Sequence, residues 1–408
     1  MQYGLIGEKL GHSYSREIHE NIADYKYALV ELPREALRPF FEARDFKAIN
    51  VTIPYKQDVI AFLDSIDEHA RIIGAVNTVV NRNGKLYGYN TDFSGMRAQL
   101  VHMGIDLKGE HVLILGAGGT AKTAHAVAQS LSAASITTLP RCPEGYNEAA
   151  KQYPQTTFII NATPVGMYPN CEDSPVDTDL FPHLKGIFDA IYNPLRTNLI
   201  LAGQAKNLPS EGGLYMLSAQ AVYASGLFQG KEISIDLIDK AYEAVKADKQ
   251  NIVLIGMPSA GKSTVGKLLA DLTGKKFVDT DVLIKEKAGM TIPEIFSAQG
   301  EAGFRAMEKD VIASVSNDSK LVIATGGGVV LNPENIHRLK RNGVVVFLDR
   351  APEELICTAD RPLSKDKDAV MKLYRERYAL YTASADVRVP SLDTPEQTAH
   401  SVLRSLDV

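Results

Sequence analysis

The sequence predicts an α/β fold in which parallel β-strands alternate with helices. Five short apolar runs have the length and composition of buried parallel strands, and most are followed by glycine or polar turns and then by helical patterns. These runs are residues 112–115, 158–160, 252–255, 321–324 and 344–348. Two of them, ending at Leu115 and Ile255, lead directly into glycine-rich loops. Since a glycine-rich loop before a helix can hold phosphate groups, we expect two nucleotide sites in two functional units.

The composition is that of a globular protein with room for two or three folded domains. The 408 residues are 45% hydrophobic and 23% charged, with a formal net charge of -5. This charge argues against bulk nucleic-acid binding, because proteins that contact a phosphate backbone are usually basic. Cys142, Cys171 and Cys357 lie far apart in the sequence and have no metal-ligand spacing. A disulfide framework is therefore not expected, which predicts a reducing cytoplasm. No apolar run approaches ~18 residues and residues 1–11 lack a signal-peptide pattern, so we expect no membrane segment.

The boundary between the two functional units is predicted near residues 247–250. A helical pattern covers residues 233–249, and the predicted strand at residues 251–255 begins almost at once. The linker is therefore expected to be short. No internal repeat relates the two halves, which indicates a fusion and not a duplication.

The loop after Ile255 has the complete sequence of a P-loop. Residues 256–264 read GMPSAGKST, which fits the pattern GxxxxGK[ST]. In such a loop the lysine, here Lys262, reaches the β- and γ-phosphates, and the hydroxyl of Ser263 can bind Mg²⁺. The residues expected to contact the phosphates of ATP are Ser259, Ala260, Gly261, Lys262, Ser263 and Thr264.

Further motifs follow the P-loop in a characteristic order. They are DTD at residues 279–281, GEAGFRAME at 300–308, GGG at 326–328, RPL at 361–363, and Arg377 four residues before Tyr381. This set resembles the shikimate kinase family along residues 250–408. That family usually has an arginine upstream of RPL that stacks on adenine. Here Cys357 and Thr358 stand at those positions, and Arg350 is the candidate substitute.

The resemblance to shikimate kinases implies a role for each motif. Asp281 would bind the ring hydroxyls of shikimate and position the attacking hydroxyl or take its proton, and Asp279 would support Mg²⁺ together with Ser263. Arg361 would lie on a closing lid, contact ATP and neutralise charge on the transferring phosphoryl group. The other substrate contacts that the resemblance implies are Arg305, Gly327 and Arg377.

The loop after Leu115 fits a dinucleotide-binding fingerprint. Residues 116–121 read GAGGTA, which matches GxGxx[GA] between a predicted strand and a predicted helix. NAD sites usually carry Asp or Glu about 20 residues later, to bind the ribose 2′-hydroxyl. No acidic residue occurs here before Glu144, and Arg141 offers a positive charge, so the sequence favours NADP.

A second set of motifs surrounds this fingerprint. They are GHSYS at residues 11–15, NVTIPYK at 50–56, GAVNT at 74–78, GYNTD at 88–92, NATPVGM at 161–167, DAIYNP at 189–194, and GLYML at 213–217 with Gln220. Together they resemble the shikimate dehydrogenase family along residues 1–245. Three features depart from that family: Arg16 replaces a proline, residues 138–140 (TLP) replace the usual Asn-Arg-Thr, and Phe228 stands in a region where a tryptophan is usual.

The resemblance implies that Lys56 is the acid/base residue and that Asp92 is its partner. Reduction of a ring ketone requires a hydride donor and a proton for the developing alkoxide. The substrate carboxylate would be bound by Ser13, Ser15 and Tyr192, and the ring hydroxyls by Thr52, Asn77, Asp92 and Gln220. The residues implied at the NADP(H) site are Gly116, Ala117, Gly118, Gly119, Thr120, Arg141, Thr163, Ala190, Gly213 and Met216.

The two resemblances together predict three domains and two consecutive reactions. A shikimate-dehydrogenase-like substrate lobe comprises residues 1–95 and is completed by 205–246, a Rossmann dinucleotide domain covers 96–204, and a P-loop α/β kinase domain with a parallel sheet covers 250–408. The expected reactions are reduction of 3-dehydroshikimate by NADPH and phosphorylation of shikimate by ATP. Two alternatives stay open: an NAD-using quinate/shikimate dehydrogenase, or an N-terminal half that binds without catalysing. The oligomeric state is not predicted.

Overall fold

The structure is a computed structural model that describes residues 1–11, 13–142, 145–355 and 366–406. The chain forms two compact units, Met1–Lys246 and Ala247–Val408. Each of the five predicted strands is present, with ends that differ by a few residues at most.

The first unit begins with a six-stranded mixed sheet in the order β2-β1-β3-β5-β6-β4. Its strands are β1 (Tyr3–Gly7), β2 (Tyr27–Glu31), β3 (Ala48–Val51), β4 (Ser65–Ile66), β5 (Thr78–Arg82) and β6 (Lys85–Tyr89). β1 pairs in parallel with β2 and β3, whereas β5 is antiparallel to β3 and β6. Ile6, Ile49 and Val79 are fully buried in the core of this sheet.

The second sheet of this unit is entirely parallel, in the order β11-β10-β9-β7-β8. Its strands are β7 (His111–Leu115), β8 (Ser135–Leu139), β9 (Phe158–Asn161), β10 (Gly186–Asp189) and β11 (Ser210–Glu211). The central strands are buried on both faces, which explains why they appear as continuous apolar runs in the sequence. Because all five strands run the same way, their following loops meet at one edge of the sheet.

Nine helices of the described residues begin in the first unit. They are α1 (Ser15–Ile22), α2 (Leu37–Ala43), α3 (Glu68–Ile73), α4 (Thr91–His102), α5 (Gly119–Ser130), α6 (Ala149–Gln152), α7 (Asn198–Ala205), α8 (Leu214–Gln229) and α9 (Ile235–Lys249). The predicted start of α9 at Ile233 was two residues too early. The hydroxyl of Ser234 accepts a hydrogen bond from the backbone N–H of Leu237, and the helix starts after this residue.

The second unit has a five-stranded parallel sheet in the order β13-β14-β12-β15-β16. Its strands are β12 (Asn251–Ile255), β13 (Lys276–Asp279), β14 (Leu321–Ala324), β15 (Gly343–Asp349) and β16 (Val387–Pro390). The helices are α10 (Lys262–Thr273), α11 (Thr280–Ala288), α12 (Ile292–Val315), α13 (Pro333–Asn342), α14 (Lys367–Ser384) and α15 (Pro395–Ser405). Among the described helices of the whole chain, none combines the length and apolarity that a membrane span requires.

Helices α4 and α8 pack closely because a glycine lies between them. A Cβ atom on Gly95 would lie 2.8 Å from the carbonyl oxygen of Met216 and 3.1 Å from the backbone nitrogen of Gln220. These neighbours are backbone atoms of a helix and cannot move aside as the end of a side chain can. This contact joins the helix that carries Asp92 to the helix that carries Met216 and Gln220.

We predict that Gly95→Ala lowers the free energy of unfolding of the first unit by up to about 2 kcal/mol. The cost of overpacking, roughly 1–3 kcal/mol, exceeds the helix-propensity gain of about 1 kcal/mol. Urea denaturation followed by circular dichroism measures the change. Arg97→Ala, on the exposed face of the same helix, is the matched control and should stay within about 0.5 kcal/mol of wild type. Equal stabilities for Gly95→Ala and Arg97→Ala would contradict the packing argument.

Candidate active sites

In the first unit, Lys56 and Asp92 form a short ion pair. Lys56 follows strand β3, Asp92 lies in the first turn of α4, and the Nζ–Oδ2 distance is 2.6 Å. The helix N-terminus favours the carboxylate, and the side chain of Asn90 caps the helix by accepting a hydrogen bond from Phe93 N. Lys56 and Asp92 remain 25% and 17% exposed, so a small molecule can reach both.

A buried polar network lies beside this ion pair. Asn77 Oδ1 accepts hydrogen bonds from the backbone N–H of Thr91 (2.8 Å) and from the hydroxyl of Thr78 (3.0 Å). Asn50 Nδ2 donates to Thr78 Oγ1 at 3.0 Å, and Asn50 Oδ1 accepts from the Tyr27 hydroxyl at 2.7 Å. The network fixes Asn77 next to the start of α4. Asn50 and Thr78 were in the quoted motifs, but sequence reasoning assigned them no role.

Of the residues predicted to bind a carboxylate, Ser13 and Ser15 lie at the start of α1 and Tyr192 follows β10. Ser13 Oγ accepts a hydrogen bond from Ser15 N at 3.2 Å, and the rings of Tyr14 and Tyr192 are in contact at 5.3 Å. Burial raises the pKa of the Tyr192 hydroxyl, so it stays a neutral hydrogen-bond donor at physiological pH. Arg16, which departs from the family pattern, donates from Nε to the carbonyl of Tyr27 at 3.1 Å. It thereby ties this turn to strand β2.

The two other residues predicted to bind the ring hydroxyls lie on different elements. Thr52 follows β3 and its backbone N–H donates to Ile6 O at 2.9 Å. Gln220 lies on α8, one turn beyond Met216, and its Nε2 donates to Leu217 O at 2.9 Å. The structure therefore brings Gln220 to the α4–α8 contact, near the helix of Asp92.

The predicted NADP residues follow the carboxyl ends of the strands of the parallel sheet. Gly116 follows β7 with φ +107, and a Cβ there would lie 2.9 Å from Ala162 O and 3.3 Å from Thr163 Cγ2. Gly213 follows β11, and a Cβ there would overlap the backbone of Ala190, after β10. Glycine is thus required at both positions for neighbouring loops to approach each other.

The N-terminus of α5 offers space and donors for phosphate groups. No atom lies within 4 Å of a Cβ built on Gly118 or Gly119, and the helix has no side-chain cap. Ala117 is exposed beside them and Thr120 half-buried. Backbone N–H groups and the helix dipole at this end suit a pyrophosphate. Arg141, two residues past β8, is exposed, and no described contact joins it to this loop.

A buried carboxylate at the end of β10 holds neighbouring loops at this same carboxyl edge of the sheet. Asp189 Oδ1 accepts from Asn161 Nδ2 and Ile191 N, both at 3.0 Å, and Oδ2 accepts from Thr197 Oγ1 at 2.6 Å. Thr163 is tied to the same group through Asn161. Burial raises the pKa of Asp189 to about 7, although the three hydrogen bonds lower it. Sequence reasoning placed Asp189 in a motif but missed this role.

In the second unit, the P-loop is held tightly against the sheet. Gly256 has φ +148, and a Cβ there would lie 2.7 Å from Leu348 O, at the end of β15. Lys262 is buried, and its Nζ donates to the carbonyls of Gly256 and Met257, both at 2.9 Å. Gly261, at φ +89, is the N-cap of α10. The remaining predicted loop residues, Ser259, Ala260 and Thr264, lie on the same turn and the first turn of α10.

Two residues predicted to support Mg²⁺ are in direct contact. Ser263 Oγ donates to Asp279 Oδ2 at 2.6 Å, and Asp279 Oδ1 caps α11 by accepting from Asp281 N. Hydroxyl and carboxylate oxygens are the hard ligands that Mg²⁺ prefers, with water and phosphate completing its shell. The residues present therefore fit the ion. Among the described residues no cluster of three or more His, Cys, Asp or Glu side chains forms a separate metal site.

The acceptor side of the second unit is built around the triple glycine after β14. A Cβ on Gly326 would lie 2.7 Å from Asp281 Oδ1 and 3.1 Å from Glu308 Oε1. Arg305 donates from Nη1 to Glu308 Oε2 at 2.9 Å and from Nη2 to Glu301 at 3.1 Å. Asp281, Glu308 and Arg305 therefore meet in one place.

Gly327 connects the P-loop to this acceptor region. Its carbonyl accepts from Arg377 Nη1 at 3.0 Å and from the Tyr381 hydroxyl, and a Cβ on it would lie 2.8 Å from Pro258 Cδ. Arg377 is buried. The backbone at Gly327 thus lies between the P-loop and helix α14, and no larger residue fits.

Glu308 is a functional candidate that sequence reasoning did not assign. Burial raises its pKa, while Arg305 and Arg377 lower it and Asp281 raises it further. The signal in the sequence was its spacing of three residues from Arg305 on one helix, which places both on the same face.

Arg361, Cys357 and Thr358 lie outside the described residues. Arg350, the alternative adenine contact, pairs with Glu354 at 3.3 Å.

We predict that Asp189 makes the stability of the first unit depend on pH. Its pKa is about 7 in the folded protein and near 3.8 when unfolded, so its contribution is complete below about pH 4 and is lost as the pH rises through 7. The loss is at most on the order of 4 kcal/mol. Asp189→Asn keeps the shape and does not titrate.

Urea unfolding of the wild type and of Asp189→Asn at a series of pH values measures this effect. The wild type should lose stability relative to the variant as the pH rises from about 5 to 8. A stability difference that stays constant across this range would show that Asp189 is ionised in the folded protein throughout.

Comparison with known proteins agrees with the two candidate sites described above, one in each unit. The chain matches the family described as shikimate dehydrogenase substrate binding domain over residues 5–79, and the shikimate kinase family over residues 258–407. A shikimate dehydrogenase (NADP(+)) of Clostridium beijerinckii is 37% identical over 260 residues, which cover 59% of this chain and 96% of that protein.

Two solved structures resemble the first part of the chain. Shikimate dehydrogenase 1 from Peptoclostridium difficile has a TM-score of 0.54 at 32% identity, covering 60% of this chain and 98% of that one. The shikimate 5-dehydrogenase of Thermus thermophilus, solved in complex with NADP(H) and shikimate, has a TM-score of 0.53 at 28% identity, covering 60% and 99%. The chain therefore belongs to the shikimate dehydrogenase family over its first unit and carries a shikimate kinase domain in its second, which makes it a bifunctional enzyme of the shikimate pathway.

Proposed function

We propose that the first unit reduces 3-dehydroshikimate to shikimate with NADPH and that the second phosphorylates shikimate with ATP to 3-phosphoshikimate. The observation that carries the proposal is the presence of two chemically different constellations in one chain. One contains the Lys56–Asp92 ion pair, and the other contains the P-loop lysine Lys262, with Asp281 next to Gly326 in the same unit. We also propose the three domain ranges predicted from the sequence.

In the dehydrogenase, Lys56 would supply the proton that ketone reduction requires. NADPH, when bound, supplies the hydride to the carbonyl carbon. Lys56 is the donor, because its ammonium group can pass a proton to the carbonyl oxygen as the alkoxide develops, and it regains a proton from solvent. Asp92 orients the Lys56 ammonium group through the 2.6 Å contact.

The other polar residues of this unit would hold a substrate rich in hydroxyl groups. Ser13, Ser15 and Tyr192 provide hydroxyl and backbone donors for a carboxylate. Thr52, Asn77 and Gln220 lie on elements that converge on the Lys56–Asp92 pair and would bind ring hydroxyls. An unpaired buried hydroxyl would cost about 1–3 kcal/mol, so such a site discriminates strongly against substrates that lack these groups.

The open end of α5 supports the proposed cofactor site. Gly118 and Gly119 leave room for a pyrophosphate at the helix N-terminus. Thr163, Ala190, Gly213 and Met216 follow neighbouring strands and would surround the nicotinamide. The region after β8 carries Arg141 and no acidic residue before Glu144, which supports NADP over NAD because the usual ribose-binding carboxylate would repel a 2′-phosphate.

In the kinase, the chain would act mainly by positioning and by charge neutralisation. Mg²⁺, when bound at Ser263 and Asp279, supplies positive charge beside the phosphates. Asp281 would orient the attacking hydroxyl of shikimate and take its proton. Arg305 and Arg377 would hold the substrate carboxylate through charged hydrogen bonds. Arg361 is proposed on the lid from the sequence alone.

The two activities should be separable by single substitutions. Lys56→Gln is expected to lower the kcat of the dehydrogenase by about a thousandfold, because it removes the proton donor. Lys262→Gln is expected to lower the kcat of the kinase by about a hundredfold to a thousandfold, because it removes a preorganised charge at the phosphates.

Each variant should keep the other activity, which serves as its control for folding. Initial rates with 3-dehydroshikimate and NADPH, and with shikimate and Mg-ATP, measure both. If Lys56→Gln retained dehydrogenase activity, another group would be the proton donor. A wild-type protein with kinase activity but no dehydrogenase activity would indicate a first unit that binds without catalysing.

Arg141 should determine the preference for NADP. Arg141→Ala is expected to raise the KM for NADPH by about tenfold to a hundredfold and to leave the KM for NADH nearly unchanged, because only NADPH offers a phosphate to the guanidinium group. Steady-state kinetics with both cofactors measure the change. A wild type that prefers NADH would support the alternative of an NAD-using quinate/shikimate dehydrogenase.

The cytoplasmic location stays a prediction.

A further inference from the structure

Gln99 is a fully buried polar residue on α4 that no motif predicted. Its Oε1 accepts a hydrogen bond from the backbone N–H of Met216 at 2.9 Å, and its Nε2 donates to Glu211 Oε2 at 2.8 Å. Both partners are fixed in their roles, because an N–H only donates and a carboxylate only accepts. The orientation of the Gln99 amide is therefore determined by its surroundings.

The backbone of Met216 is held by α4 on two sides. Gln99 binds its N–H, and its carbonyl oxygen rests on Gly95, where a Cβ would lie 2.8 Å away. Met216 is in the first turn of α8, where backbone N–H groups have no partner within the helix. An acceptor from outside is thus needed, and Gln99 supplies it.

The same face of α4 carries the ion-paired carboxylate. Asp92, Gly95 and Gln99 are spaced three and four residues apart, which places them in one row along the helix. Asp92 at the start of the row holds Lys56, and Gln99 two turns later holds Met216. A rigid helix therefore sets the distance between the proton donor and the backbone at Met216.

The second partner of Gln99 belongs to a separate group of side chains. Glu211 lies on β11, which pairs with β10, and its Oε2 is also 3.7 Å from His102 Nε2. The ring of His102 stacks on Tyr215 at 3.9 Å, and the Tyr215 hydroxyl donates to Asp239 at 2.8 Å. Gln99 thus connects α4 with both the strand and the helix that flank the loop at Gly213.

We propose that Gln99 is a positioning residue of the dehydrogenase, which sets the place of the nicotinamide ring by holding the backbone of Met216 and the side chain of Glu211. The inference rests on the proposed function, in which Met216 and Gly213 lie beside the nicotinamide. Gln99 itself is fully buried, so its side chain is not available to contact the hydroxy acid or the cofactor. Substitution of Gln99 should therefore change the KM for NADPH more than the KM for the hydroxy acid.

The test compares Gln99→Met with the wild type in the full chain. This substitution keeps the volume and removes both hydrogen bonds. We expect the KM for NADPH to rise by about tenfold and kcat to fall by about tenfold, because a small displacement of the reacting groups is costly. The KM for 3-dehydroshikimate and the kinase activity should each stay within about twofold. Gln152→Met, at an exposed position on α6, is the matched control and should behave as wild type.

Exchanging the side chains at positions 99 and 211 distinguishes a positioning role of Gln99 from a general loss of stability. Gln99→Glu leaves an acceptor for Met216 N–H but sets a carboxylate against Glu211, so it should raise the KM for NADPH. Adding Glu211→Gln restores a donor opposite the acceptor, and the double variant should recover the wild-type KM for NADPH within about threefold.

Two results would overturn the proposal. One is a Gln99→Met enzyme with wild-type kinetic constants for NADPH. The other is a variant in which kcat falls in proportion to the folded fraction while the KM for NADPH stays unchanged, since that result indicates a structural role alone. Failure of the proposed function itself is distinguishable, because the wild type would then show no NADPH-linked reduction before any substitution is compared.

Discussion

Both units depend on the same steric constraint, a glycine at the carboxyl end of an interior strand of a parallel sheet. At Gly116 and Gly256 the chain turns at positive φ, and an added Cβ would lie 2.9 Å from Ala162 O, just after β9, and 2.7 Å from Leu348 O, near the end of β15. Because glycine has no side chain, each loop packs closely against the end of its sheet, and the next helix begins a few residues after the strand. Donor groups then converge at one edge, where phosphates bind.

Polar groups near these loops are held by partners that are themselves buried. In the first unit Asp189 ties together Asn161, Ile191 and Thr197, and in the second Glu308 holds the guanidinium group of Arg305. Burial raises the pKa of each carboxyl group. Such groups stabilise one arrangement of the surrounding loops because every alternative leaves a polar atom without a partner. They therefore orient the loops and side chains that surround them.

The sequence predicted the parallel sheets well, because buried strands such as β7 and β12 are uninterrupted apolar runs before glycine loops. It did not predict the strands of the first sheet. Short segments such as Tyr3–Gly7 and Ala48–Val51 mix polar and apolar residues, and long-range pairing forms this sheet. Motif residues such as Lys56 and Asp92 were found from their order along the chain. Gln99 has no local signal, since its partners Met216 and Glu211 are more than 100 residues away.

The central claim is that one chain performs two consecutive reactions, and a single conversion tests it most directly. The purified wild-type protein would receive 3-dehydroshikimate, NADPH and Mg-ATP, and the products would be followed by nuclear magnetic resonance. We expect 3-phosphoshikimate to form, with one NADPH oxidised and one ATP consumed for each molecule. Accumulation of shikimate without phosphorylation, or consumption of ATP without oxidation of NADPH, would contradict it.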